Sequence, residues 1–135
     1  MARTIDIGSK TYYAKQTLKW CEKYFGLCDR KKRRLIFRFS ERKRKMDNFD
    51  IFGNYCFYRN KMTIHEPACI TIHDIVATVI HEYTHFKQPI RKKYNQYLEE
   101  YGRNYNNHPY EITANNKACR DTVTATEWVF GKIKM

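Results

Sequence analysis

The segment TIHDIVATVIHEYTHFKQP, residues 71–89, constrains the fold more than any other part of the chain. Thr71, followed three residues later by Asp74, has the form of a helix capping box, with Asp in place of the usual Glu. Pro89 stops any helix that reaches it. Between them, Ile72, Ile75, Val76, Val79, Ile80, Tyr83 and Phe86 fall on one stripe at about 100° per residue. The expected element is an amphipathic helix starting near Ile72 and packed by that stripe against a sheet. His81 and His85 lie roughly 40° apart on the same wheel, on the side opposite the stripe. A core histidine belongs on the stripe. These two do not, and their rings reach one point in space.

Two imidazoles at i and i+4 supply two corners of a tetrahedral zinc site, and a third protein ligand leaves one position for water. Glu82 is placed to take a proton from that water as general base, while the metal lowers the water's pKa and polarises a scissile carbonyl. Residues 83, 84 and 86 are uncharged, as a buried catalytic helix requires. The extended metzincin pattern needs Gly at 88 and His at 91. This chain has Gln88 and Arg91, which excludes that class. The stretch NHPYEITANNKA, residues 107–118, offers Glu111 just after Pro109, a favoured first residue of a helix. A returning helix can bring such a carboxylate to the metal, and Asn115, one turn later, is placed to hold an imidazole N–H. His108 and Glu99 or Glu100 are the other candidates for third ligand. HEPAC, residues 65–69, repeats the His-Glu start, but Pro67 rules out a helix there, so His65 and Glu66 are expected to end a strand. His73 is expected to be a solvated or capping residue.

The rest of the chain supplies a small α+β frame. A helix is expected over about 10–25, with Tyr13, Trp20 and Tyr24 at helical spacing and Gly26 as its cap. LIFRFS alternates as a half-buried strand, and FDIFGNYCFYR and KMTIHEP form two more strands joined by a tight turn near Asn60. IRKKYNQYLEEYGRNY forms a second, surface helix, and Pro109 begins a last helix running to about Phe130. At 135 residues the chain fits a single domain, 1–135. Its 42% hydrophobic and 30% charged residues suit a soluble protein. No apolar run approaches the ~20 residues of a membrane span, and residues 1–10 lack a signal-peptide core. Five scattered cysteines without a C-x-x-C pair fit a reducing, cytoplasmic setting. The net charge of +12 is local. Residues 30–45, RKKRRLIFRFSERKRK, carry ten Lys/Arg and one Glu, or +9, which leaves +3 for the other 119 residues. A stretch this dense attracts polyanions, with DNA or RNA the first candidate.

HEYTH followed by HPYEITANNKA resembles the minimal gluzincin zinc metallopeptidases, including the ImmA/IrrE, SprT-like and small phage-encoded types. The resemblance implies a zincin-like fold: an N-terminal helix, a small twisted sheet of three or slightly more strands, an active-site helix and C-terminal helices. It implies Zn2+ held by His81, His85 and Glu111, with Glu82 as the base. It also implies that the strand before the active helix, here KMTIHEP, borders the cleft and pairs with extended substrate through a free edge. Tyr110 and His108, with Tyr101 and Tyr105 in the same region, are the candidates for stabilising the oxyanion. Asn115 stands where many gluzincins carry Asp, and Lys87 where a hydrophobic residue is more usual. The expected activity is that of a cytoplasmic metalloendopeptidase acting on protein or peptide, in the host cytoplasm if the chain is phage-encoded. The alternative is a basic, nucleic-acid-associated module with a structural or catalytically retired zinc site.

Overall fold

The computed structural model describes residues 7–26, 35–41, 45–46, 49–56, 59–88 and 109–133. Its elements run α1 (Ile7–Phe25), β1 (Ile36–Ser40), β2 (Lys45–Met46), β3 (Phe49–Asp50), β4 (Gly53–Cys56), β5 (Lys61–His65), a 3-10 turn (Glu66–Ala68), α2 (Ile72–Lys87) and α3 (Pro109–Ile133). Among the described residues this is an α+β arrangement of three helices and a three-stranded open sheet, with β2 and β3 as a separate ribbon. None of these helices is long and apolar enough to cross a membrane. The helix expected in 90–105, the residues Glu99, Glu100, Tyr101, Tyr105 and His108, and positions 30–34 and 42–44 of the basic stretch lie outside the described residues.

Helix α2 begins as its sequence dictates. The Thr71 hydroxyl accepts from the Asp74 amide at 3.1 Å, and the Asp74 carboxylate accepts from the amides of Thr71 at 3.1 Å and Ile70 at 3.0 Å. The shorter Asp side chain therefore closes the capping box as Glu would. Ile75, Val76, Val79, Ile80 and Tyr83 are fully buried. Thr78 and Thr84 return their hydroxyls to the carbonyls of Asp74 and Ile80, which removes the cost of burying them. The helix stops with Gln88 in extended geometry, as a residue before proline favours.

The sheet order is β1–β5–β4, with β1 parallel and β4 antiparallel to β5. This overturns the expectation that KMTIHEP presents a free edge: β5 is the central strand, paired on both sides. The tight turn through Asn60, at φ 48°, folds β4 back onto one side of β5. Tyr55 steadies the turn by donating to the Asn60 side chain at 2.5 Å. The other side is taken by residues 36–40, a pairing across some 25 positions of sequence that local patterning does not reveal. FDIFGNYCFYR is likewise not one strand, since Phe49–Asp50 pairs with β2 while Gly53–Cys56 joins the sheet. Glu66 opens the 3-10 turn, where it accepts at 2.6 Å from Lys10, itself only 4% exposed.

Helix α1 is fastened by its last turn. Its final carbonyls lack intrahelical partners, and α2 provides them: Tyr83 donates to the Gly26 carbonyl at 2.7 Å and Lys87 to the Phe25 carbonyl at 2.5 Å. Lys87 thus brings a cation to a helix C-terminus, which accounts for its charge where an apolar residue is more usual. Gly26 takes the left-handed conformation that ends such a helix, at φ 81°. Trp20 and Cys21 are buried, whereas Tyr24 is 63% exposed and stacks on Trp20. Helix α3 turns a face of small residues inward, with Ala114, Ala118 and Ala125 buried.

Strand β4 approaches α2 so closely that only glycine fits at its start. A Cβ on Gly53 would stand 2.6 Å from the Thr78 methyl, 3.0 Å from the Thr63 carbonyl oxygen and 3.4 Å from Glu82 Cγ. Gly53→Ala should therefore destabilise the protein by about 1–3 kcal/mol, read as a lower melting temperature. Adding Thr78→Ser, which removes the methyl and keeps the hydroxyl, should restore part of the loss. A Gly53→Ala protein as stable as wild type would show that β4 does not press on α2.

Candidate metal centre

Three side chains from two helices converge. His81 and His85 stand one turn apart on α2, and Glu111 projects from the first turn of α3. The Nε2 atoms of the two rings are 3.2 Å apart. Glu111 Oε2 lies 3.1 Å from His81 Nε2, and Glu111 Oε1 lies 2.6 Å from His85 Nε2. Glu111 is 3% exposed and His85 5%, while the His81 side chain keeps 20% of its surface open.

The donor set fits a divalent cation. Ligands at 2.0–2.1 Å in a tetrahedron stand about 3.3 Å from one another, and two of the three separations come close to this. The third, 2.6 Å, is shorter and is made by the other carboxylate oxygen of Glu111. Glu111 Oε1 is buried at ion-pair distance from His85 Nε2, off the line of a well-aligned hydrogen bond. Two imidazole nitrogens and a carboxylate gathered at these distances could hold a cation. His81, His85 and Glu111 are the group among the described residues with this capacity.

The protonation states follow from the packing. Burial alone would raise the Glu111 carboxyl, but the two adjoining histidines reverse this and hold it far below the ordinary carboxylate range. Burial disfavours the charged form of His85, yet contact with Glu111 and the charge of Glu82 outweigh it and lift the ring above its usual 6.5. Glu82 is raised by burial, against the pull of His85 and His81. Its Oε1 lies 3.6 Å from His81 Nε2, and its Oε2 is buried without a hydrogen-bond partner among the described residues. A carboxylate shifted toward neutrality, with one oxygen free, has the properties of a general base.

A cleft of about 480 Å³ opens onto these groups. Phe52 and Gly53 form one wall, Ala77 and Thr78 of α2 lie beside His81 and Glu82, and Asn115 and Ala118 continue the wall beyond Glu111. Asn115 lines the cleft and makes no hydrogen bond to either imidazole. The ring contact expected of it belongs to Gln88, whose Oε1 lies 2.7 Å from His85 Nδ1 and whose Nε2 donates to the Tyr110 carbonyl at 3.0 Å. Tyr110 is 8% exposed and does not line the cleft. His65 is buried with Nε2 3.0 Å from the Asn54 side-chain oxygen, and His73 is exposed, so neither joins the cluster. No protein-family model, curated protein or solved structure matches this chain.

Metal affinity should fall as the pH drops through a value above 6.5, because protons compete at His85 long before they reach Glu111. Calorimetric zinc titrations in buffers of different ionisation enthalpy measure the protons released. An affinity that stays flat between about pH 8 and pH 6 would show that no imidazole proton is displaced.

Proposed function

We propose that the chain is a zinc-dependent endopeptidase of the gluzincin kind with a zincin-like fold. The observation that carries this reading is the convergence of two imidazoles and one carboxylate beside a second, desolvated carboxylate that makes no structural hydrogen bond. His81, His85 and Glu111 are the residues to hold the ion. Zinc, when bound there, supplies Lewis acidity that makes a water acidic and polarises a carbonyl. Glu82 accepts the proton of the attacking water, which its raised pKa favours, and delivers it to the leaving amine. β4, the outer strand of the three-stranded sheet, begins beside Glu82 and is the place for an extended peptide to add as a strand. The partly exposed Phe52 and the small residues of the cleft suit a modest apolar side chain next to the scissile bond.

Glu82→Gln separates chemistry from metal binding. The variant should keep its zinc while cleavage of a denatured protein substrate drops by about 10²–10⁴-fold. Undiminished cleavage, or a wild-type protein that retains no zinc, sinks the proposal.

The +9 carried by residues 30–45 favours a second reading, in which the chain also binds nucleic acid and either cuts proteins on it or serves there without catalysis. Binding to a duplex of arbitrary sequence should then weaken steeply with salt, with a log–log slope set by the phosphates neutralised, at about −0.9 for each. A shallow slope removes this reading and leaves the peptidase untouched.

A further inference from the structure

We propose that Gln88 is a positioning residue that sets the tautomer of His85 and ties that ring to the helix carrying Glu111, so that both donors face the ion before it arrives. The proposal rests on the metal-centre reading above and adds a residue to it. Gln88 is 7% exposed and ends α2, with its amide donating to the carbonyls of Thr84 and His85. Its side chain bridges two groups whose hydrogen-bonding capacities differ. The Tyr110 carbonyl can only accept, so the NH2 of the Gln88 amide must face it, at 3.0 Å. The amide oxygen is thereby turned to His85 Nδ1, at 2.7 Å, and it too can only accept. Nδ1 therefore carries the hydrogen, and in the neutral ring the lone pair resides on Nε2. That is the atom 3.2 Å from His81 Nε2 and 2.6 Å from Glu111 Oε1.

The second half of the bridge has its own consequence. Tyr110 is the residue before Glu111, so the same amide that orients the imidazole also pins the first turn of α3 to the end of α2. Only glutamine meets both demands. Asparagine is one methylene short, methionine offers no hydrogen bond, and glutamate keeps the acceptor for Nδ1 but sets a carboxylate against the Tyr110 carbonyl. The alternative is that Gln88 merely fills space at a helix end, in which case its loss affects stability and leaves metal affinity alone.

The experiment compares the full chain with Gln88→Met and Gln88→Glu. Zinc affinity is measured by chelator competition and folding by thermal unfolding of the metal-free proteins. Gln88→Met should bind zinc about 10–100-fold more weakly than wild type, and Gln88→Glu should recover part of that loss. A Gln88→Met protein with wild-type zinc affinity and a lowered melting temperature overturns the proposal while the metal centre stands. A wild-type protein that binds no zinc overturns both. Should neither variant fold, 15N NMR of the metal-free wild type at alkaline pH decides. His85 protonated on Nδ1 supports the proposal, and His85 protonated on Nε2 overturns it.

Discussion

The approach of α3 to α2 is the constraint on which the site depends. Helices with ordinary side chains at their contact pack 8–10 Å apart, at the close end of that range when the residues are small. Ala114 and Ala118 occupy the inward face of α3 directly after Glu111 and are both buried. Larger residues there would hold α3 away and leave Glu111 short of the two imidazoles. Gathering three polar side chains in a nearly dry site is costly unless their charges are compensated. The apolar packing around them imposes the arrangement, and the group as it stands is one that a cation completes.

Helix α2 mediates between this site and the rest of the molecule by keeping its duties on separate faces. The apolar stripe holds the sheet. Tyr83 and Lys87 reach the end of α1, and Phe25, Tyr83 and Phe86 continue the contact as a run of aromatic rings. The opposite face carries His81 and His85 toward α3. The apolar face is covered, and the opposite face meets α3 beside the cleft, so the imidazoles are held by a helix that has little freedom to rotate or slide. Gly53 adds a third restraint by bringing the main chain of β4 against Thr78 and Glu82.

Much of this was legible in the sequence because it is local. The capping box, the apolar stripe and the 81/85 pairing all lie within 19 consecutive residues, and Pro109 marks the helix start that carries Glu111. What escaped depends on contacts between distant segments. The central position of β5 follows from its pairing with residues 36–40, and no periodicity within KMTIH announces a second neighbour. Gln88 reads in the sequence only as a mismatch to the metzincin glycine, since its bond is to a carbonyl 22 positions away. Sharing a helix face with Glu111 points Asn115 toward the ring, but one turn along α3 carries it into the cleft. The tight fit at Gly53 belongs to the same group, because a missing side chain signals a close approach only once its neighbour is known.

Glu111 is the third residue of a 25-residue helix. Helix ends open more readily than helix middles, and here an end is one of the three walls of the candidate centre. Opening of that first turn would draw Glu111 away from the two imidazoles, and an ion held by all three side chains would close the turn again. Occupancy of such a centre and order at the start of α3 would then be one equilibrium, with metal concentration acting as a folding variable for a single helical turn.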